Sequence, residues 1–179
     1  MRLLISGGLG SGCTSTARSL GVQLNLPVFD SDMYFHKPTD PPFQQQYTPE
    51  ERRTILEAAL GAQSSWILSG SVALWQVRSF EPTHGVFLQI PRQTRLERLA
   101  LRQESQFGSR ILAGGDLQAE HQSFMNWAVG YENRTEEGRN LVTDRTFLES
   151  RRKKHLVLTE AESMDRVISR IVHFLTDSK

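Results

Sequence analysis

Residues 7–15 read Gly7-Gly8-Leu9-Gly10-Ser11-Gly12-Cys13-Thr14-Ser15. They follow the apolar run Leu3-Leu4-Ile5, which reads as a buried strand, and open the stretch Thr14 to Leu24, which reads as a helix. In that helix Ala17, Leu20 and Leu24 share one stripe. A glycine-rich turn between strand and helix lets successive backbone N–H groups curl around an anion, and the helix N-terminus adds partial positive charge. Gly7 and Gly12 stand at the Walker A spacing, and Thr14 falls where a hydroxyl ligates Mg²⁺. The position of the Walker lysine is Cys13. The stretch predicts a phosphate-binding loop made by Gly7, Gly8, Gly10, Ser11, Gly12, Cys13, Thr14 and Ser15. A dinucleotide fingerprint would need glycine at position 13 and is rejected. A tight turn that binds nothing remains the plain alternative, although such a turn needs only one or two glycines.

Without the lysine the loop loses a point charge but keeps its amide cradle and its metal-side hydroxyl. Binding then persists while transfer slows, unless an arginine compensates. Near a helix N-terminus a free thiol is also expected to have a lowered pKa and to be oxidisable. The other view of Cys13 is a structural replacement for lysine.

Further along, Pro27-Val28-Phe29, Trp66-Ile67-Leu68, Val86 to Ile90 and Leu156-Val157-Leu158 read as short buried strands. Helical stretches alternate with them. Thr48-Pro49-Glu50-Glu51 is a capping box with proline at the first helical position. A helix follows Pro91 with Leu96, Leu99 and Ala100 inward, and others cover Asp116 to Tyr131 and Leu141 to Lys154. Ser163 caps a last helix with Met164, Ile168, Ile171 and Leu175 inward. Lys37 to Phe43 carries three prolines and reads as loop, and Phe107 to Gly115 is a polar, Gly-rich loop. Short apolar strands separated by helices predict a parallel sheet covered on both faces.

The chain of 179 residues fits one α/β domain with room for a lid. Its 21 Lys plus Arg and 20 Asp plus Glu give a net charge of +1, which argues against a dedicated nucleic-acid or anionic-membrane binder. Arginine dominates, with 17 Arg against 4 Lys, as where phosphates are gripped bidentately. One cysteine excludes an intrachain disulfide framework and a Cys-based zinc site. No apolar run is long enough to span a membrane, and the start is too short for a signal peptide. A cytoplasmic protein is expected, monomeric or homodimeric.

Several segments together resemble the adenylate-kinase-like P-loop nucleoside and small-molecule kinases, and most closely an uncharacterised bacterial subgroup lacking the Walker A lysine. These are the Gly-Ser-Gly loop, Phe29-Asp30-Ser31-Asp32, Pro38-Thr39-Asp40-Pro41-Pro42-Phe43, Leu68-Ser69-Gly70-Ser71, and Gly114-Gly115-Asp116 followed by His121, Phe124, Trp127-Ala128 and Tyr131. The chain departs from that subgroup at Leu117, Gln118 and Glu132. The resemblance implies an α/β fold with a five-stranded parallel sheet of the P-loop NTPase (nucleoside/adenylate-kinase-like) type, helices on both faces, and a lid at about 102–135 within a single domain, 1–179. It implies ATP and Mg²⁺ as cofactors, with phosphoryl transfer to an unidentified small acceptor bearing a hydroxyl or a phosphate. A nucleotide-binding sensor or pseudo-kinase without turnover is the alternative.

By the same resemblance Asp30 is the metal-side carboxylate, with Thr14, and Asp32 orients or deprotonates the acceptor. Strand three ends in Ser69-Gly70-Ser71, without a Walker B acid, which favours Asp30 in that role. As plain turn formers, Asp30 and Asp32 would do neither. Arg95, Arg98 and Arg102 fall on one helix face. Arg98 and Arg102 resemble the arginines that hold ATP at a lid entry, and Arg110 is expected to swing in from the following loop. The competing view is a solvated face paired with Glu97 and Glu104. His121, Phe124, Ala128 and Tyr131 form an aromatic stripe that serves either as core or as a wall of the acceptor pocket. The run Arg151-Arg152-Lys153-Lys154 reads as an exposed helix end.

Overall fold

The structure is a computed structural model that describes residues 1–39, 44–77, 80–135, 138–151 and 154–177. Asp40 to Phe43 of the Pro-rich loop, and Arg152 and Lys153 of the basic run, lie outside the described residues.

Five strands, β1 (Arg2–Gly7), β2 (Val28–Asp30), β3 (Trp66–Ser69), β4 (His84–Leu88) and β5 (Lys154–Leu158), pair in parallel in the order β2-β3-β1-β4-β5. Side chains alternate across a sheet with period two, and the sequence follows that rule on every central strand. Leu3, Ile5, Ile67, Val86 and Leu88 pack on one face with α1 (Cys13–Leu24) and α7 (Met164–Thr176). Leu4, Trp66, Leu68 and Phe87 pack on the other with α3 (Pro49–Gly61) and α6 (Leu141–Ser150). The sheet is therefore apolar on both sides, which is why its strands read as continuous apolar runs.

The remaining helices are α2 (Asp32–Phe35), α4 (Arg92–Phe107) and α5 (Gln118–Val129), with a 3-10 turn at Gly108–Ile111 between the last two. The Thr48 capping box is present: Thr48 Oγ1 accepts from the Glu51 amide at 3.2 Å and Glu51 accepts from the Thr48 amide at 2.7 Å. Asn140 and Ser163 cap α6 and α7 with a side-chain oxygen that accepts from the Thr143 and Arg166 amides. Among the described residues no helix is long and apolar enough to cross a membrane.

Four expectations need correction. The helix expected to run to Lys154 ends at Ser150, and Lys154 begins β5. On α4 it is Arg95, not Ala100, that is buried with Leu99. On α7 Val167 takes the inward place assigned to Met164, which is 38% exposed. Arg151 is not a solvated helix end, because its guanidinium covers the Phe147 and Phe80 rings at 4.6 and 5.6 Å.

All C-terminal strand ends share one edge, and β1 lies at the point where the chain reverses direction across the sheet. Ligands of open parallel sheets bind at that crevice. Replacing Thr48→Ala removes the cap of α3 and should lower stability by about 1 kcal/mol, read as a shift in the urea midpoint at unchanged slope.

Candidate functional site

The loop leaves β1 at Gly7 and bends through Gly10 (φ 79°) and Gly12 (φ 93°), a left-handed conformation that glycine adopts without strain. A Cβ at Gly10 would also lie 2.3 Å from the Arg95 carbonyl oxygen, so α4 closes against this point. One internal bond, Ser11 N–H to Gly8 O at 3.0 Å, shapes the turn, and α1 begins its own ladder with Thr16 N–H to Gly12 O at 2.9 Å. Between those bonds the amides of Gly12, Cys13, Thr14 and Ser15 have no hydrogen-bond partner among the described residues. Every helix leaves its first N–H groups unpaired, but here a Gly-rich approach keeps side chains away from them. The arrangement can hold an anion.

Two arginines brace the loop through its carbonyls. Arg95 is 1% exposed; its Nη1 donates to Leu9 O at 2.6 Å, its Nε donates to Glu132 Oε1 at 3.1 Å, and its Nη2 pairs with that same oxygen. The guanidinium also lies 5.1 Å from the Tyr131 ring centroid. Arg139, in the turn before α6, donates from Nη2 to Gly7 O at 2.9 Å and from Nε to Asp144 Oδ2 at 3.3 Å. Asp144 is buried and also accepts from Tyr131 at 2.8 Å and from Ser71 at 2.5 Å. Burial, then the Asp144 charge, pushes the Tyr131 phenol far up, so it stays a donor. A cavity of about 140 Å³ opens beside the loop, lined in part by Gly8, Arg95, Tyr131 and Glu132. A larger depression between α1 and α7, about 430 Å³, is lined by none of these groups.

The acid pair arrives from across the sheet. β3 separates β2 from β1, so Asp30, which ends β2, and Asp32, which opens α2, come from one strand beyond the loop's nearest neighbour. Ser31, between them, is buried and its amide donates to Ser69 O at 2.9 Å, which pins this corner to the end of β3. Asp30 Oδ1 accepts from the Asp32 amide at 3.2 Å. Desolvation in the cleft raises the Asp32 pKa, although the residue keeps a solvent-open side; Asp30 raises it further, and Arg139, His36 and Arg102 oppose the rise. The Asp30 charge also reaches the Cys13 thiol. The Arg139 charge thus reaches both the Cys13 thiol and Asp32, and the Arg102 charge reaches Asp32. Arg98 is exposed, with Nη1 3.9 Å from where a Gly12 Cβ would stand. Arg110 lies elsewhere, paired with Asp116 at 2.6 Å on the surface.

The site offers hard oxygen donors to a divalent cation, namely the half-buried Thr14 hydroxyl and the Asp30 carboxylate. Among the described residues no group of three or more His, Cys, Asp or Glu could hold a metal without other ligands. That donor set fits Mg²⁺ shared with phosphate oxygens, and two crowded carboxylates are what a divalent cation relieves.

Cys13 behaves differently from the expectation of an activated thiol. It is buried, and desolvation pushes its pKa up to about 11 against the opposing effects of the Ser11 contact at 3.2 Å and Arg139. Burial outweighs the helix N-terminus. Of the aromatic stripe, Ala128 and Tyr131 are core, while Trp127 is 41% exposed.

Sequence reasoning placed Arg95 on one helix face with Arg98 and Arg102, and missed its buried role as well as Arg139 and Asp144. A signal for the second pair existed: Asp144 stands four residues before Leu148 on the buried stripe of α6, and a carboxylate there requires donors.

No family model matches the chain. It is 29% identical over 176 residues to the uncharacterized protein YqaC of Bacillus subtilis (strain 168), covering 97% of each. Among solved structures it superposes on deoxyadenosine kinase from M. mycoides with bound dATP, at a TM-score of 0.59 and 11% identity over 98% of this chain and 100% of that one. Shikimate kinase from Aquifex aeolicus matches at 0.56 and 16% identity, over 99% and 97%. The fold is that of the P-loop kinases.

Cys13 yields a pH prediction. With the thiol pKa near 11, the thiolate fraction at pH 8 is about one in a thousand and rises with pH. Iodoacetamide should label Cys13 at least about tenfold more slowly than a free cysteine at pH 8. The rate should climb through pH 10 to 11, followed by mass spectrometry.

Proposed function

We propose that this chain binds Mg²⁺-ATP on the Gly7–Ser15 loop and transfers a phosphoryl group to a small metabolite bearing a hydroxyl or a phosphate. The observation that carries the reading is the run of four amides, Gly12 to Ser15, without partners among the described residues, at a loop whose Cys13 the Asp30 charge reaches. The kinases whose fold it shares act on small hydroxyl-bearing molecules, shikimate and deoxyadenosine among them, and one holds dATP.

The roles follow from position and charge. Loop amides bind the phosphate oxygens, and Thr14 with Asp30 would hold Mg²⁺, which neutralises charge developing on the transferred group. Asp32 accepts the proton of the attacking hydroxyl; its raised pKa brings it toward the range where a general base works best. Arg98 and Arg102, along α4, reach the phosphates, and Arg110 joins them when segment 102–135 closes as a lid and the Asp116 pair opens. Catalysis on this plan is positioning and charge stabilisation.

One observation favours a second reading, a nucleotide sensor without turnover: the loop's own lysine position holds a buried thiol. A single experiment separates the two. Millimolar Mg²⁺-ATP at about 100 times its dissociation constant adds about 2.7 kcal/mol of stability, a rise of about 5–10 °C in melting temperature for a chain of this size. NAD should produce none. The Asp32→Asn variant should keep that shift and, with an acceptor that supports turnover, lose about 10²–10⁴-fold in kcat. Turnover unchanged in Asp32→Asn would remove the assigned base. No ATP shift in the unaltered protein would remove the nucleotide reading altogether.

A further inference from the structure

We propose that Arg139 supplies, from the turn ahead of α6, the phosphate-facing cation that the loop lacks at Cys13, with Asp144 as its positioning residue. The inference rests on the nucleotide reading above and names a further binding residue of that site.

Residues 7–15 contain no lysine or arginine, and the side chain at the lysine position is a thiol. Any cation that meets the phosphates must come from elsewhere in the fold. Arg95 is committed: it is fully buried, with its donors on Leu9 O and Glu132 and its face against Tyr131. Arg110 is occupied by Asp116 on the surface. Arg98 and Arg102 extend from an exposed face of α4, with no described carboxylate to fix them.

Arg139 differs from all four. Its Nη2 is bonded to the carbonyl of Gly7, the first residue of the loop, so the guanidinium lies at the loop's base. Its side chain is 23% exposed, so the group is not sealed in the core as Arg95 is. Its charge reaches both Cys13, at the lysine position, and Asp32, the acceptor acid. Among the described residues Nη1 has no hydrogen-bond partner and remains for a ligand.

Asp144 explains how a cation on a turn acquires the fixed placement that a loop lysine has by covalent attachment. The carboxylate is buried and held by Ser71, at the end of the β3 segment, and by Tyr131, after α5. Its bond to Arg139 Nε orients the planar fork, which loses less freedom on meeting an anion than a flexible ammonium does.

The test is calorimetric binding of Mg²⁺-ATP, and of inorganic triphosphate as a base-free probe, to the full chain and its variants. Arg139→Gln should weaken both ligands about 10–100-fold, the loss of one charge-assisted contact pair, while Arg139→Lys weakens them less. Cys13→Lys in the Arg139→Gln background should restore affinity to within a few-fold of the unaltered protein, since the charge returns from the other side of the same spot. A merely structural Arg139 would not be rescued that way. If Arg139→Gln alone fails to fold because Asp144 is stranded, Arg139→Gln with Asp144→Asn removes both charges and takes its place. Unchanged affinity in the Arg139 variants, or no rescue by Cys13→Lys, would overturn the proposal and leave the nucleotide reading standing. If the unaltered protein bound neither ligand, both would fall.

Discussion

Four backbone amides at the head of α1 have no partner among the described residues, and holding them open is the constraint on which the proposed site depends. A loop that spends its N–H groups on an external anion cannot use them to stabilise itself. It must be held through its carbonyls. Arg95 takes Leu9 O from the side of α4, and Arg139 takes Gly7 O from the side of α6. Each of these guanidiniums is in turn held by a carboxylate, Glu132 or Asp144. Buried charge of this kind is costly unless it is paired and hydrogen-bonded, and every partner comes from a different element. The pairs therefore do two things together: they shape the loop and they tie α4, α6 and the turn after α5 to the end of β1.

Charge is arranged in layers around that loop. The acids Asp30 and Asp32 stand close together at the end of β2, and the Asp30 charge disfavours ionisation of Asp32. The Arg139 and Arg102 charges act the other way. Such a distribution has unspent electrostatic energy in the ligand-free state, which a divalent cation and a phosphate chain would relieve together. Cys13 belongs to the packing and not to the reactive groups, because burial keeps its thiol protonated.

The architecture was legible because it rests on short-range patterns. Continuous apolar runs in Leu3-Leu4-Ile5 and Val86-Phe87-Leu88 predict a sheet covered on both faces, and glycine spacing locates the turn that opens α1. Thr48 and Glu51 announce a helix start three residues apart. What was not legible depends on pairings distant in sequence. Arg95 is 37 residues from Glu132 and 86 from Leu9, so an i, i+3, i+7 stripe could not show that its first member turns inward. Arg139 lies 132 residues from Gly7 and belongs to no periodic element. The order of β2 and β3 was also hidden, because two edge-side strands with similar apolar runs can exchange places without changing the pattern.

The central claim is that the amides opening α1 are the anion site. The most direct measurement is an ¹H–¹⁵N correlation spectrum of the full chain titrated with Mg²⁺-ATP and, separately, with inorganic triphosphate. The account predicts that the largest amide shifts with both ligands fall on Gly12, Cys13, Thr14 and Ser15, with smaller ones near Asp30 and Arg139. Shifts that map instead to the depression between α1 and α7, or a spectrum unmoved by either ligand, would contradict it.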